Sequence, residues 1–377
     1  MNPSAGNHHG KLYFPSLTGL RAIAAFTVLF THVERYRMSQ GRPAILTGPF
    51  NSFVGGLAVT FFFVLSGFLI TSLLLKEKEK TGTIQVLKFL RRRGLRIWPL
   101  YYTVLTGGYL LSIFVLKDTG SNPWQNGLVL NTLMLSNVAF AFDMIPDIMI
   151  QIWSVGTEEQ FYFAWPFLMR HMALHKLVRA FLVVIVCWGV LDVLVHFWGD
   201  ARIRAIVFRT RIDCMAIGGL FAMAVLQRDQ PGGWMARCYR LMQHRLTGVA
   251  GLAIFVVLLV ASRHWDNSFY QLYALLFGIL IVRTSRQSSG WLESTPLKFL
   301  GKISYGIYLL HHFVIYFIFR EMSFMLSLPA PWGDLAVFVP ACLLSILTAS
   351  LSYRLLESPF LRRRDTEAAT KPLLFRG

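Results

Sequence analysis

The stretch FFFVLSGFLITSLLL, residues 61–75, carries no charge and stops at KEKEK, residues 76–80. About 20 predominantly apolar residues in a helix cross the hydrocarbon core of a bilayer. With the residues just upstream, this run predicts a membrane-spanning helix over 52–75. Residues 181–195 and 248–261 read the same way. Several such runs are shorter than a full span, so polar residues are expected inside the spans as well.

Composition extends the reading to the whole chain. Of 377 residues, 55% are hydrophobic and only 15% charged, whereas a soluble domain carries about a quarter charged residues. The fold class is therefore all-α, a polytopic transmembrane helix bundle with no soluble domain of any size. The net charge is +18. In a soluble protein that would suggest nucleic acid. Here the basic residues lie mostly between apolar runs, and the positive-inside rule is the simpler account. The partner is then the lipid bilayer, with no nucleic acid. Cys187, Cys214, Cys238 and Cys342 form no C-x-x-C pair, so neither a disulfide framework nor a metal site is indicated. No basic n-region or A-x-A site accompanies the first apolar run, which is expected to be an uncleaved helix.

Helices are predicted at 17–34, 52–75, 97–117, 155–170, 177–197, 211–227, 246–262, 269–283, 302–320 and 334–356, about ten spans in all. A further apolar segment, 127–142, is ambiguous, and charge decides its reading. With ten spans and both termini cytoplasmic, about 25 of the 37 lysines and arginines face the cytoplasm. Counting 127–142 as a span would invert every later loop and turn the basic tail outward. It is therefore read as a re-entrant or partial helix on the outer side. One loop disagrees: Arg202, Arg204, Arg209 and Arg211 fall outside. Either the boundaries shift there, or these arginines line an outward-facing cavity. Residues 1–361 form the membrane domain, and 362–377 form a short basic tail expected to be disordered.

Ionisable groups inside spans mark sites or pathways. The first helix carries Arg21 near its inner end and His32 in its outer half. Eleven residues return them to nearly the same face, roughly 16 Å apart along the axis. A histidine there can exchange a proton near neutral pH. It can equally be a structural group bonded to a neighbouring helix, and the pair alone leaves both readings open. In RRRGLRIWPLYY, Arg93 and Arg96 are spaced to face one way, with Arg91 and Arg92 beside them. Arginine forks suit phosphate, although a topology signal against anionic lipid would look alike. In WSVGTEEQFYFAWP, residues 153–166, Trp153 and Ser154 precede Glu158 and Glu159 in a first helical turn. There an acid is either a mere cap or part of a polar pocket. In GKISYGIYLLHHF, residues 301–313, Tyr305, Tyr308 and His312 share one stripe, and Tyr308 and His311 another. Ser66 and Gly67 would permit close helix packing.

Taken in order, these segments resemble the membrane-bound acyltransferase-3 family. Its arginine and histidine in the first helix are matched by Arg21 and His32. Its FFxxSGFLI-like run is matched at residues 62–70. Its R-x-x-R before I-x-P is matched by Arg93, Arg96 and Pro99. Its WSLxxExxFY-like segment is matched by Trp153, Ser154, Glu158, Phe161 and Tyr162. Its GxxSYxxYLxH pattern is matched by Gly301, Ser304, Tyr305, Tyr308 and His311, and its E-x-P by Glu357 and Pro359. Val155 departs from the usual leucine, and Gly156 and Thr157 from the usual Ser–Val. The match spans nearly the whole chain, and the conjunction in order is specific where each motif alone is weak.

The resemblance implies an integral membrane O-acyltransferase of the cytoplasmic (inner) membrane. It would move an acyl group, commonly acetyl, from cytoplasmic acyl-CoA to a hydroxyl of a carbohydrate or other acceptor. No tightly bound cofactor is expected; acyl-CoA is a co-substrate. Arg93 and Arg96, with Arg91 or Arg92, would grip the CoA phosphates. Arg21 would hold the donor, His32 would act as general base, and Glu158 would position or polarise the hydroxyl. Tyr308, His311, Ser154 and Trp153 would line the acceptor's path. The alternative is a secondary transporter with a polar central path. Such proteins often show two related halves and broken helices, and no internal repeat is visible here.

Overall fold

A computed structural model of the chain describes residues 14–43, 45–46, 48–115, 123–262, 270–285, 290–322, 328 and 332–362. Every regular element among them is helical. The tail from residue 363 lies outside the described residues.

Five described helices are long and apolar enough to cross a membrane: Ser16–Ser39, Gly48–Thr81, Val86–Phe114, Leu174–Trp198 and Trp332–Arg362. The total is up to seven if two bent pairs, Trp234–Gln243 with Arg245–Ala261 and Thr295–Lys302 with Ser304–Glu321, each count as one span. The remaining helices that the sequence reading took as spans are α6 (Ile152–His171), α9 (Ile212–Leu226) and α12 (Tyr270–Thr284). Helix α6 contains Glu158, Glu159 and Arg170. Helices α9 and α12 have 15 residues each, or about 22 Å against a core of about 30 Å.

The architecture is centred on α2 (Gly48–Thr81), which packs against α1 (Pro15–Ser39), α6, α9 and α12. Small residues set its distance from α9. A Cβ at Gly67 would collide with the Met215 carbonyl, and one at Gly218 with the Val64 carbonyl. Two backbones thus meet without intervening side chains, as small residues allow in membrane interiors. Phe63, Phe68 and Ile70 from α2 join Met215, Ile217 and Phe181 in the main core. At the C-terminal end of α1, buried Arg37 pairs with Glu34 on its own helix and with Asp334 of α15 (Trp332–Ser352). It also donates 3.1 Å to the Pro43 carbonyl.

The lipid side is legible from exposure. On α7 (Leu174–Trp198), Val183, Val186, Val190, Val193 and Phe197 are exposed. On α11 (Arg245–Ala261) no residue is buried. Apolar helices with so much uncovered surface need hydrocarbon around them.

Two boundaries differ from expectation for one reason: helices run on beyond the hydrocarbon. The 34 residues of α2 reach about 51 Å, so Lys76, Lys78 and Lys80 end a helix and do not begin a loop. Lys78 Nζ there donates 2.8 Å to the carbonyls of Met169 and Met172, capping the end of α6. Helix α3 (Val86–Phe114) likewise starts well before the anticipated residue 97, so Arg91, Arg92, Arg93 and Arg96 lie in its first turns. The ambiguous segment 127–142 falls on two short helices, α4 (Pro123–Thr132) and α5 (Ser136–Ala141). They are broken at Met134, whose φ is 60°, and neither is long enough to cross. Three further helices went unread: α8 (Ala201–Thr210), α10 (Trp234–Gln243) and α13 (Thr295–Lys302). Each is too short and too mixed in polarity to show as an apolar run. Helix α8 is capped by Asp200, which accepts from the amides of Arg202 at 2.6 Å and Ile203 at 3.1 Å. Those amides hold its carboxyl below the usual carboxylate range.

Candidate active site

Two chambers, each of about 230 Å³, open along α1. The one at the N-terminal end of α1, called inner after the orientation expected from the charge pattern, receives Arg21 from α1, Ser66 from α2, Arg93 and Arg96 from α3, Ser154, Glu158 and Tyr162 from α6, and Tyr305 and Tyr308 from α14 (Ser304–Glu321). The outer one receives His32 and Arg35 from α1, Asn51 from α2, Gln151 and Trp153, Arg209 and Arg211, Tyr270 and again Tyr308. Val59 and Tyr308 line both and form the wall between them.

Three guanidiniums face a single carboxylate in the inner chamber. Glu158 accepts from Ser66 Oγ at 2.8 Å and from Tyr162 OH at 2.9 Å. The Arg93 guanidinium lies 5.5 Å from the centroids of the Phe89 and Tyr162 rings. Tyr305 OH donates to the Ile97 carbonyl at 2.9 Å, tying α14 to α3. Arg91 and Arg92 do not line the chamber. Arg91 is exposed, and Arg92 pairs with Glu77 at 3.3 Å. The i, i+3 spacing on α3 turns Arg93 and Arg96 inward and carries their neighbours away. Glu159, one residue from Glu158, accepts 2.9 Å from Trp98 Nε1.

The wall is a small polar network. Tyr308 OH is 2.6 Å from Ser154 Oγ and donates to the Gln151 carbonyl at 3.3 Å. Gln151 Nε2 donates to the Leu309 carbonyl at 2.6 Å, pinning α14 against the turn before α6.

Behind the wall three imidazoles meet. His32 lies 5.1 Å from His311 and 4.3 Å from His312 between ring centroids, and His311 lies 4.6 Å from His312. His311 Nδ1 is 2.6 Å from the Tyr308 carbonyl, which orients the ring and leaves Nε2 free. His32 Nδ1, His311 Nε2 and both His312 nitrogens are buried without a hydrogen-bond partner. One nitrogen from each ring falls within 4.8 Å of the others. A tetrahedral zinc site would want about 3.3 Å between nitrogens at ordinary Zn–N lengths. The three could take a metal only by closing inward. As they stand they form a buried cluster of imidazoles with unpaired nitrogens.

The outer chamber also holds Arg209 and Arg211, two of the four arginines of the loop that resisted the charge rule, while Arg202 and Arg204 are exposed. The Arg209 guanidinium sits 3.9 Å from the Phe140 centroid and 4.6 Å from that of Trp153. Arg211 lies 3.3 Å from the Tyr270 centroid. It donates 2.7 Å to Thr60 Oγ1 and 2.8 Å to the Phe208 carbonyl. Its backbone φ of 29° is in the left-handed region, a strain that sites tolerate when the surroundings impose it.

A family model for an acyltransferase domain, acyltransferase-3, matches residues 14–354. The chain belongs to the acyltransferase-3 family. Similar relatives of known name include O-acetyltransferase OatA of Staphylococcus aureus strains NCTC 8325 / PS 47 and COL, each 28% identical over 381 residues. Those alignments take in 93% of this chain and 58% of each relative, so the chain spans under two thirds of the relatives' length. No solved structure matches the chain.

Of the site residues expected for this acyltransferase-3 chain, the structure gathers Arg21, Arg93, Arg96, Glu158, Ser154 and Tyr308 at the inner chamber. It places His32 and Trp153 at the outer chamber, with His311 packed behind His32. Glu158 and His32 line different chambers. Sequence reasoning named Tyr162 only as a motif match, without a role, and did not single out Gln151, Arg35 or the joining of His312 to His32. Only the unexplained outside arginines signalled Arg209 and Arg211.

Proposed function

We propose that this acyltransferase-3 protein is an O-acyltransferase of the cytoplasmic membrane, spanning it about ten times with both termini inside. It moves an acyl group, acetyl first among them, from acyl-CoA on the inner side to a hydroxyl of a carbohydrate or other acceptor on the outer side. The observation that carries this reading is one helix opening into two chambers that share Tyr308, with Arg21 at one and His32 at the other.

Arg93 and Arg96 hold the CoA phosphates at the inner mouth, where bidentate guanidinium–phosphate bonds are favourable. Arg91 and Arg92 stand on the approach and supply attraction at a distance. The pantetheine arm enters beside Arg21, and the thioester lies against the Tyr308–Ser154 wall. Glu158 balances the arginines and holds the Ser66 and Tyr162 hydroxyls. The acceptor hydroxyl sits at His32, lined by Trp153 and flanked by His311. Its proton passes to the imidazole as its oxygen attacks the thioester carbonyl. The C–S bond breaks, and the imidazolium returns the proton to the CoA thiolate. Tyr308 OH gives up its 3.3 Å bond to the Gln151 carbonyl and donates to the oxyanion formed in between. A positioned base is worth about 10²–10⁴ in rate.

The deciding experiment needs no acceptor. Protein in mild detergent is unfolded thermally with and without acetyl-CoA, beside Arg96→Ala. Donor at about 100 times its dissociation constant adds roughly 2.7 kcal/mol of apparent stability. The wild type should gain it and the variant should not. A well-folded wild type with no gain would refute the donor assignment.

A further inference from the structure

The outer chamber has a charge that the acyl-transfer reading leaves unused. Arg35, Arg209 and Arg211 line it, and no aspartate or glutamate does. Arg211 has Asp192 and Asp213 in the adjoining cavity on its far side. Neither makes a salt bridge with it among the described residues, though both attract its charge from that side. Arg35 and Arg209 have no carboxylate partner among the described residues. Arg211 is only 6% exposed, and its Nη2 is buried without a hydrogen-bond partner.

Arg35 is exposed and Arg209 half-buried, so the cost falls on Arg211 and Arg209: burying guanidinium N–H groups without an acceptor is unfavourable. Such a cluster persists where a ligand supplies the missing charge. The arginines are also aimed. Arg209 rests on the faces of Phe140 and Trp153, themselves chamber residues. Arg211 is fixed by Thr60, Phe208 and Tyr270. Side chains held this way present their remaining N–H groups in a set direction, which suits carboxylate or phosphate. The donor's own phosphates do not answer the need, because the inner arginines gather around Arg21, roughly 21 Å along α1 from Arg35.

Building on the proposed function, we infer that the acceptor is an acidic carbohydrate, whose carboxylate or phosphate is held by Arg209, Arg211 and Arg35 while its hydroxyl meets His32. The pocket then selects acceptors by charge as well as by shape. A neutral sugar of the same size leaves Arg211 Nη2 unpaired and is discriminated against, as buried polar groups discriminate in general.

The test uses the full chain in mild detergent at fixed ionic strength. Thermal unfolding is followed with methyl glucoside, methyl glucuronide, glucose 6-phosphate, or an anionic phospholipid. The two acidic sugars separate a carboxylate from a phosphate preference, and at least one should stabilise the protein where methyl glucoside does not. Arg209→Gln should weaken that apparent affinity by about tenfold or more, Arg35→Gln should weaken it less, and Arg96→Ala should leave it unchanged. The acetyl-CoA shift in Arg209→Gln reports that the variant is folded. Loss of the acetyl-CoA shift in the wild type would sink the donor reading alone, because the sugar comparison is read without donor. Three things would overturn the inference. One is equal shifts, or none, with all three sugars. Another is a shift undiminished in both Arg209→Gln and Arg35→Gln. The third is stabilisation by the phospholipid only, which would assign these arginines to a lipid headgroup.

Discussion

Neighbouring residues Arg92 and Arg93 offer a controlled test of the donor site, because their replacement by glutamine removes the same charge one position apart. Arg93 lines the inner chamber over the Tyr162 ring, whereas Arg92 lies off it and pairs with Glu77 at 3.3 Å. A hydrogen bond to a charged group contributes about 1.5–3 kcal/mol, so Arg93→Gln should raise the dissociation constant for CoA by roughly 10–150-fold. Arg92→Gln loses only long-range attraction, screened over about 8 Å at physiological salt. Its partly exposed ion pair contributes about 0–1 kcal/mol to stability, and its effect on CoA affinity should stay within about threefold. Calorimetric titration of CoA into detergent-solubilised protein at 0.15 M salt gives both constants. Equal losses in the two variants would refute the inward placement of Arg93 and reduce the basic motif to a diffuse charge.

Replacing His32 by alanine should leave the acetyl-CoA shift intact while lowering acetyl incorporation from labelled acetyl-CoA by about 10²–10⁴; normal incorporation by a folded variant would remove it as base. Tyr308→Phe keeps the wall's shape but deletes the hydroxyl, so incorporation should fall by about 10²–10³ with CoA affinity unchanged. If CoA affinity falls instead, Tyr308 is a donor contact. Arg37→Ala strands buried Glu34 beside Asp334 and should destabilise the fold by about 3–5 kcal/mol, read as a lowered unfolding temperature with Arg320→Ala, an exposed pair with Glu321, as the mild comparison. Gly67→Ala drives a Cβ into the Met215 carbonyl and should lower stability by about 1–3 kcal/mol, whereas Gly107→Ala meets nothing within 4 Å and should be neutral or stabilising.

The sequence by itself determined the helical, membrane-bound class, because uncharged runs such as residues 61–75 have no other stable setting. It also determined the family, because motifs spread from Arg21 to Pro359 keep their order whatever the fold does between them. The helix period alone put Arg21 and His32 on one face and Arg93 with Arg96. Other matters depended on contacts between distant segments. Nothing near Tyr308 in the chain announces that it closes a wall with Ser154, 154 positions away. Nothing local tells that His312 meets His32, or that Arg92 turns to Glu77 while Arg93 turns inward. The division into two chambers follows from how α1, α2, α6 and α14 converge. A one-dimensional pattern records which face of a helix is polar, but not which other helix that face will meet. Charge counting reached its limit at Arg209 and Arg211 for the same reason: loop charge reports topology only where the loop lies in water, and these side chains fold back into the protein.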